Sequence, residues 1–144
     1  MRRLCTFYLD ELLFGIDVDA VQEVLRYQVM TPVPLAPPVV AGLINLRGQI
    51  VTALDLRRRL ELPERPSELL PTNVVLRSST VGASLLVDAI GEVVDVEEGS
   101  FEVPPETVQG MARELILGAY KQPGQLLFLL DLRKTLEIGI EVQA

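Results

Sequence analysis

The chain has 144 residues, of which 49% are hydrophobic, and a formal net charge of −7. This length suits one ordinary domain or two small units that share a core. The negative charge argues against nucleic-acid binding, which needs a surface that neutralises phosphates. Histidine is absent. This excludes the commonest general base, the catalytic triads that activate a serine or cysteine through histidine, and most zinc-binding sites. We therefore expect no catalysis, no metal and no other cofactor.

The amino terminus lacks the features of an export signal. Its two arginines are followed by an apolar run that Asp10 and Glu11 interrupt. The single cysteine, Cys5, fits a reducing compartment, and its apolar surroundings predict a buried side chain. The longest apolar run, at residues 126–130, is far too short to span a membrane. These features predict a cytoplasmic protein.

The first half of the chain predicts two β-hairpins, because apolar runs alternate with turn residues. They comprise residues 5–9 with 12–16 and residues 40–46 with 49–54. Between them, residues 17–26 fit a helical turn as well as a strand, and the proline-rich stretch 31–38 predicts an extended connector. Asp55 would cap a short helix at 56–62, and the prolines of 63–71 predict a linker.

The second half predicts the same order of elements. Its hairpins comprise residues 74–77 with 84–87 and residues 114–121 with 125–130. Residues 88–93 echo residues 19–24, a proline-bearing connector follows at 103–107, and Asp131 would cap a helix that reaches residue 138. Each half thus offers about five short strands and one helical turn, which suits a small closed barrel.

The sequence therefore predicts an all-β protein with two packed five-stranded barrels and a short helix after the second hairpin of each half. Units of about 65 residues bury too little surface alone, so the barrels should share an apolar junction. The predicted subdomains are residues 1–66 and 67–144, with terminal segments able to cross over. The basic cluster Arg57-Arg58-Arg59 is expected to be the solvated face of the first helix.

Residues 42–62 recur without a gap as residues 118–138, which indicates an internal duplication. Turn glycines, helix-capping aspartates and core leucines are identical in the two copies, and the fold explains them. The hairpin tip differs, because Arg47 stands where the second copy has Pro123. Proline suits the position before a turn glycine, whereas an arginine offers the turn nothing and can anchor a partner. We predict an interaction at Arg47; the alternative is an exposed arginine without a role.

Four segments carry a more specific pattern: VQEVLR at 21–26, PVVAGLINLRGQIVTALDLRRRL at 38–60, LLVDAIGEVVDV at 85–96 and ILGAYKQPGQLLFLLDLRKTL at 116–136. In this order they resemble the CheW-type coupling proteins of bacterial chemosensory systems. The string Gly-x-x-Asn-Leu-Arg-Gly followed by Asp-Leu-Arg is the most specific part. The resemblance extends from about residue 5 to residue 136.

The resemblance implies two SH3-like five-stranded β-barrels and no catalytic activity. It implies a scaffold that joins the cytoplasmic tips of chemoreceptors (methyl-accepting chemotaxis proteins) to the regulatory domain of the histidine kinase CheA, within receptor arrays. By matching positions, the helical receptor tip would dock in an apolar groove at the barrel junction, near Val21, Glu23, Gly42, Asn45, Arg47, Val87 and Val93. The kinase contact is expected at Gly48 and Gln49.

An alternative function is a small acidic β-barrel module that binds another protein, a small ligand or a single-stranded nucleic acid. Nucleic-acid sites of this kind need exposed aromatic side chains and basic tracks. The chain has three tyrosines, four phenylalanines and no tryptophan. The composition therefore favours the adaptor over the nucleic-acid module.

Overall fold

The computed structural model describes residues 1–77 and 82–138, which contain ten β-strands and three short α-helices. The strands are β1 (Arg2–Leu9), β2 (Leu12–Asp17), β3 (Val21–Leu25), β4 (Val40–Leu46), β5 (Gln49–Asp55), β6 (Thr72–Leu76), β7 (Gly82–Val87), β8 (Ala89–Val96), β9 (Ile116–Gln122) and β10 (Gln125–Leu130). The helices are α1 (Leu56–Arg59), α2 (Gly110–Leu115) and α3 (Leu132–Thr135).

The strands form two five-stranded sheets. The central sheet has the order β3-β6-β7-β5-β4, and the terminal sheet has the order β8-β1-β2-β10-β9. The duplicated elements occupy matching places in the two orders, and each sheet contains one parallel pair, β5 with β7 or β10 with β2. We refer to the two units as the central barrel and the terminal barrel.

The predicted boundary between residues 66 and 67 does not divide the barrels. All strands of the central barrel come from the contiguous residues 21–87, whereas the terminal barrel combines β1 and β2 with β8, β9 and β10. The first hairpin of each half, β1–β2 or β6–β7, therefore pairs with strands of the other half. The prediction allowed terminal segments to cross over, which describes β1 and β2 but not β6 and β7, because these two strands form an internal segment. The last six residues of the predicted second subdomain, 139–144, lie outside the described chain.

Three apolar clusters hold this arrangement together. One is inside the terminal barrel and includes Leu4 and Leu127, and another is inside the central barrel and includes Ile44 and Val75. The third and largest joins strands of both barrels, from Phe7 on β1 to Leu54 and Leu85 in the central sheet and on to strands β9 and β10. Each barrel thus has a core of its own, and a shared core connects them. This is the apolar junction that the sequence predicted.

Local signals in the sequence account for much of the secondary structure. Asp55 caps α1 by accepting hydrogen bonds from the amides of Arg57 and Arg58, and Asp131 caps α3 by accepting one from Lys134. Both helices are shorter than predicted, ending at residues 59 and 135. The undecided residues 17–26 contain both candidate structures, a 3₁₀ turn at Val18–Ala20 followed by β3.

Helix α2 was not predicted. The sequence indicated a strand from residue 114, but Gly110–Leu115 is helical and β9 begins at Ile116. Six residues are too few for a helical period to be distinguished from a short apolar run. Met111 and Ala112 of this helix pack against the shared core. Helix α2 therefore covers part of the junction between the barrels.

Candidate partner-binding surface

The tip of the β4–β5 hairpin is a two-residue turn formed by Arg47 and Gly48. Leu46 pairs with Gln49, and φ is +51° at Arg47 and +88° at Gly48. Two positive φ values define a type I′ turn, whose twist matches that of the flanking strands. Oδ1 of Asn45 accepts a hydrogen bond of 2.9 Å from the Gly48 amide and stabilises the turn. Asn45 thus has a local structural role, and Arg47 adopts a backbone conformation that is uncommon for a residue with a side chain.

The guanidinium of Arg47 forms an ion pair with the carboxylate of Glu23 on β3. Strands β3 and β4 are the two outer strands of the central sheet, so the ion pair connects its two edges. The side chain of Arg47 is 68% exposed and that of Glu23 is 24% exposed. An exposed ion pair of this kind contributes only about 0–1 kcal/mol to stability. We infer that stability alone does not account for an arginine at this position.

One exposed apolar side chain lies on the hairpin beside this turn. Ile50, which is 57% exposed, lies opposite Asn45 at the start of β5. Val24 is also exposed, but it points to the face of β3 opposite to Glu23, because successive strand residues face opposite sides. Apolar contact area beside an arginine anchor is the combination that protein interfaces use. We call the set Glu23, Asn45, Arg47 and Ile50 the edge surface.

The predicted groove residues are divided between the two barrels, and not all of them are exposed. Val21, Glu23, Gly42, Asn45 and Arg47 lie on β3, β4 or the turn, all in the central barrel. Val93 is 57% exposed but lies on β8 of the terminal barrel. Val87 is 0% exposed and belongs to the shared core. The assignment of Val87 to a groove is therefore corrected, because β7 is the middle strand of the central sheet and this side chain is enclosed on all sides.

Gly42 has a structural explanation that also holds for its repeat, Gly118. The backbone of Thr31 hydrogen-bonds Leu43 in both directions at 2.8 Å, so the proline-rich connector crosses β4 beside Gly42. A Cβ atom at Gly42 would lie 2.9 Å from the carbonyl oxygen of Thr31. The same crossing occurs at Gly118, where Glu102 pairs with Ala119. Gly42 is thus explained by the close approach of two backbones.

Gly48 and Gln49, the residues predicted to contact a kinase, are exposed and immediately follow Arg47. The structure therefore places the predicted kinase contact in the same turn as the arginine assigned to the receptor. A two-residue turn has room for one partner. If Arg47 binds the receptor, the kinase must use a different part of the molecule.

A buried charge cluster, which the sequence analysis missed, surrounds Asp88 between β7 and β8. Its carboxylate accepts hydrogen bonds from Arg57, from Nε of Arg65 at 2.8 Å and from the backbone amide of Asp10 at 2.6 Å. Both arginines follow β5 of the central barrel, whereas Asp10 is in the β1–β2 turn of the terminal barrel. Asp88 therefore connects the two barrels at the point where the chain crosses between them.

The pKa of Asp88 reflects two opposed effects. Burial would raise it, but hydrogen bonds from Arg57, from the Asp10 amide and from Arg65 outweigh burial and hold this pKa below its ordinary value. The hydrogen bond to Asp88 in turn raises the pKa of Arg57. The carboxylate and guanidinium thus both stay charged in a buried setting.

The expectation that residues 57–59 form a solvated face is wrong for two of the three arginines. Arg57 is buried against Asp88, and Arg59 donates hydrogen bonds to the backbone of α3. Arg58 is exposed, as expected, and donates to the carbonyl oxygen of Pro38. The partners of Arg57 and Arg59 are distant in sequence, so three adjacent arginines gave no sign of them.

Cys5 is buried, as its apolar surroundings predicted, and burial raises the pKa of its thiol. Within residues 1–77 and 82–138, no three His, Cys, Asp or Glu side chains are placed to hold a metal ion. Across the same residues, no helix has both the length and the hydrophobicity needed to cross a membrane.

The sequence matches the family described as "CheW-like domain" over residues 3–138. The chain belongs to this family. It is 33% identical over 136 residues to the chemotaxis protein CheW of Treponema pallidum, covering 92% of this chain and 80% of that protein. It is 30% identical over 135 residues to CheW of Bacillus subtilis, covering 94% and 86%.

The fold is similar to that of the scaffolding protein TtCheW from Thermoanaerobacter tengcongensis. The TM-score is 0.83 at 29% sequence identity, and the match covers 96% of this chain and 94% of that one. The predicted all-β class with two five-stranded barrels is therefore confirmed. The family, its named members and this fold identify the protein as a chemotaxis adaptor of the CheW-like family.

Proposed function

We propose that this protein couples the cytoplasmic tip of a chemoreceptor to the regulatory domain of a CheA-type histidine kinase, without catalysing a reaction itself. It would act in the cytoplasm, recruited to receptor arrays. Membership of the CheW-like family supports the coupling role. The observation that carries the proposal is the ion pair between Arg47 and Glu23, which assembles β3 and the β4–β5 turn into one exposed surface.

The edge surface suits a helical partner. A receptor tip made of two helices presents an apolar stripe bordered by polar residues, and such a helix docks by its apolar face. Ile50 supplies exposed apolar area, and Arg47 can reach a carboxylate or a helix C-terminal carbonyl. We propose that the receptor contacts the edge surface, and that Val93 of the terminal barrel borders the same contact.

The kinase would meet a separate surface, because the edge surface has room for one partner. Two similar barrels give the protein two such places. The contact is expected to be barrel to barrel, since the regulatory domain of the kinase shares this fold by family resemblance. Gly48 and Gln49 adjoin Arg47 and so are not part of this separate surface; as a kinase contact they stay the alternative prediction, in which the receptor does not use Arg47.

Binding measurements with the full chain test the proposal. A receptor cytoplasmic fragment and a kinase regulatory domain from the same organism should each bind the wild-type protein. The variant Arg47→Asn should weaken the receptor interaction by about tenfold, as expected for an interface anchor. Its matched control is Arg133→Asn, which removes an exposed arginine on α3 whose ion-pair partner among the described residues is Glu137, two residues past the helix.

Two results would contradict the proposal. If the wild-type protein binds neither partner from any receptor and kinase set of its organism, the coupling role is wrong. If Arg47→Asn and Arg133→Asn lower receptor affinity equally, the edge surface is not the receptor site.

A further inference from the structure

Arg59 at the end of α1 reaches from the central barrel to the terminal barrel. Its Nε donates to the carbonyl oxygen of Thr135 at 2.8 Å, and its Nη2 donates to those of Lys134 at 2.8 Å and Glu137 at 3.1 Å. These carbonyl groups lie at the carboxyl end of α3, where helical hydrogen bonding runs out. Nη1 also contacts Sδ of Met111 on α2 at 3.7 Å.

The residue that matches Arg59 in the second copy does not repeat this contact. This residue is Thr135, and its hydroxyl donates to Asp131 within its own helix segment. The neighbouring arginine, Arg58, donates to Pro38 and Glu64, which both lie within residues 21–87, the segment that contains the central barrel. Arg59 is thus specialised within a duplicated element, as Arg47 is.

The hydrogen bonds from Arg59 to the end of α3 can restrict how the two barrels are oriented. The shared core between the barrels is apolar, and burial of apolar surface does not depend on direction. A guanidinium has its donors in a rigid planar fork, so hydrogen bonds from it to neighbouring carbonyls fix orientation as well as distance. The Asp88 cluster fixes one point of contact between the barrels, and Arg59 adds a second at the end of α3. The two points together can fix an angle between the barrels that one point and the apolar core leave adjustable.

We propose that Arg59 is a positioning residue that locks the orientation of the central barrel relative to the terminal barrel. The part concerning signalling rests on the proposed function: with receptor and kinase bound to different barrels, this angle sets how the two partners face one another. Loss of the lock would leave each partner's binding intact and reduce the transfer of signal between them.

The variant Arg59→Met tests this, because methionine keeps an unbranched apolar stem and removes every donor. Arg58→Met is the matched control, since it removes the same group from the adjacent position of the same helix. Residual dipolar couplings of the full-length chain report whether both barrels share one alignment. Hydrogen exchange of amides at residues 135–137 reports the state of the α3 end.

A single alignment is expected to fit both barrels in the wild type and in Arg58→Met, but not in Arg59→Met. Amide exchange at the α3 end should be about tenfold faster in Arg59→Met, as the loss of a charge-assisted hydrogen bond implies. One alignment for both barrels in Arg59→Met would overturn the lock.

Signalling is measured separately, in reconstituted receptor and kinase assemblies. For Arg59→Met, affinity for each isolated partner should stay within about twofold of wild type, while kinase activation falls by about fivefold or more. Undiminished activation despite loosened barrels would overturn the positioning role. Failure of the wild-type protein to bind the partners would instead contradict the proposed function. The residual dipolar couplings would still test whether Arg59 fixes the orientation of the barrels.

Discussion

Arg47 has a positive φ of +51°, and this conformation limits how its role can be tested. The second copy has proline at this position, and replacing Arg47 by proline looks conservative from the sequence. Proline fixes φ near about −65°, so it cannot adopt the conformation found here. The two copies therefore use different turn types at the same place in the repeat, and the proline of one cannot be transferred to the other without a change of turn.

Asparagine is the better replacement, because it tolerates positive φ and is favoured before glycine in type I′ turns. We expect Arg47→Asn to change the free energy of unfolding by less than about 0.5 kcal/mol. Arg47→Pro should cost more, since the hairpin must rearrange its turn. Urea denaturation of both variants measures the difference, and equal midpoints would contradict the turn assignment.

Asp88 is the other residue whose environment predicts a measurable effect. Its folded pKa lies below the ordinary value, so its carboxylate stabilises the native state at any pH above the unfolded pKa of about 3.9. That contribution is lost as the pH falls through the folded pKa, because the proton must then be taken up within the cluster. The stability of the protein should accordingly decline on acidification below about pH 4.

Asp88→Asn should lower the free energy of unfolding by about 3–5 kcal/mol at pH 7, because Arg57 and Arg65 lose their buried counter-charge. The variant should also show a weaker loss of stability on acidification than the wild type. Denaturation curves across the acid range measure both effects. The control is Asp19→Asn, at the matching exposed position of the first half, and an equal loss there would contradict the assignment.

At the scale of elements, the two connectors between strands behave alike. Each runs across the outer strand of a barrel and pairs with it once, Thr31 with Leu43 and Glu102 with Ala119. A glycine beside each crossing leaves room for the connector, and this room is why the glycine recurs in both copies. The pairing also covers part of the exposed edge of each sheet, which would otherwise offer unpaired backbone groups.

Gly118→Ala should destabilise the protein by about 1–3 kcal/mol, because the new Cβ would lie 2.6 Å from the carbonyl oxygen of Glu102 and against the ring of Phe101. Gly42→Ala should cost a similar amount for the same reason. Gly99→Ala is the control, since open space surrounds that position. Thermal denaturation compares the three, and a neutral Gly118→Ala would contradict the close crossing.

For the whole molecule, the largest apolar cluster draws on both barrels. The terminal barrel also depends on strands from both ends of the chain, so neither barrel can lose its partner without exposing shared core. We therefore expect the two barrels to unfold together. This agrees with the shared apolar junction that the sequence predicted, although the proline-rich residues 63–71 were also predicted to be a linker between the two halves.

Scanning calorimetry should show one transition whose calorimetric and van't Hoff enthalpies agree. Hydrogen exchange of the slowest amides in the two barrels should give the same free energy of opening. Two resolved transitions, or slow amides confined to one barrel, would contradict a single cooperative unit.

The proposed partner-binding surface was predictable only in part. Arg47 stood out because the duplicated copy lacks it, and Glu23 and Asn45 were identified through family resemblance. The ion pair that brings Arg47 to Glu23 depends on the curvature of the central sheet, which no short stretch of sequence encodes. Val87 was misplaced for a related reason: an apolar strand residue can face a core or a groove, and the neighbouring strands decide which.

The hairpins, the helix caps, the turn glycines, the duplication and the family could all be predicted from the amino-acid sequence. These features depend on residues that are close along the chain, or on a pattern that repeats within it. The folded structure was needed to show which hairpin joins which barrel, that Arg57 and Arg59 bind distant partners, and that Val87 is enclosed. Those outcomes depend on contacts between residues far apart in sequence, and such contacts form only when the two barrels pack together.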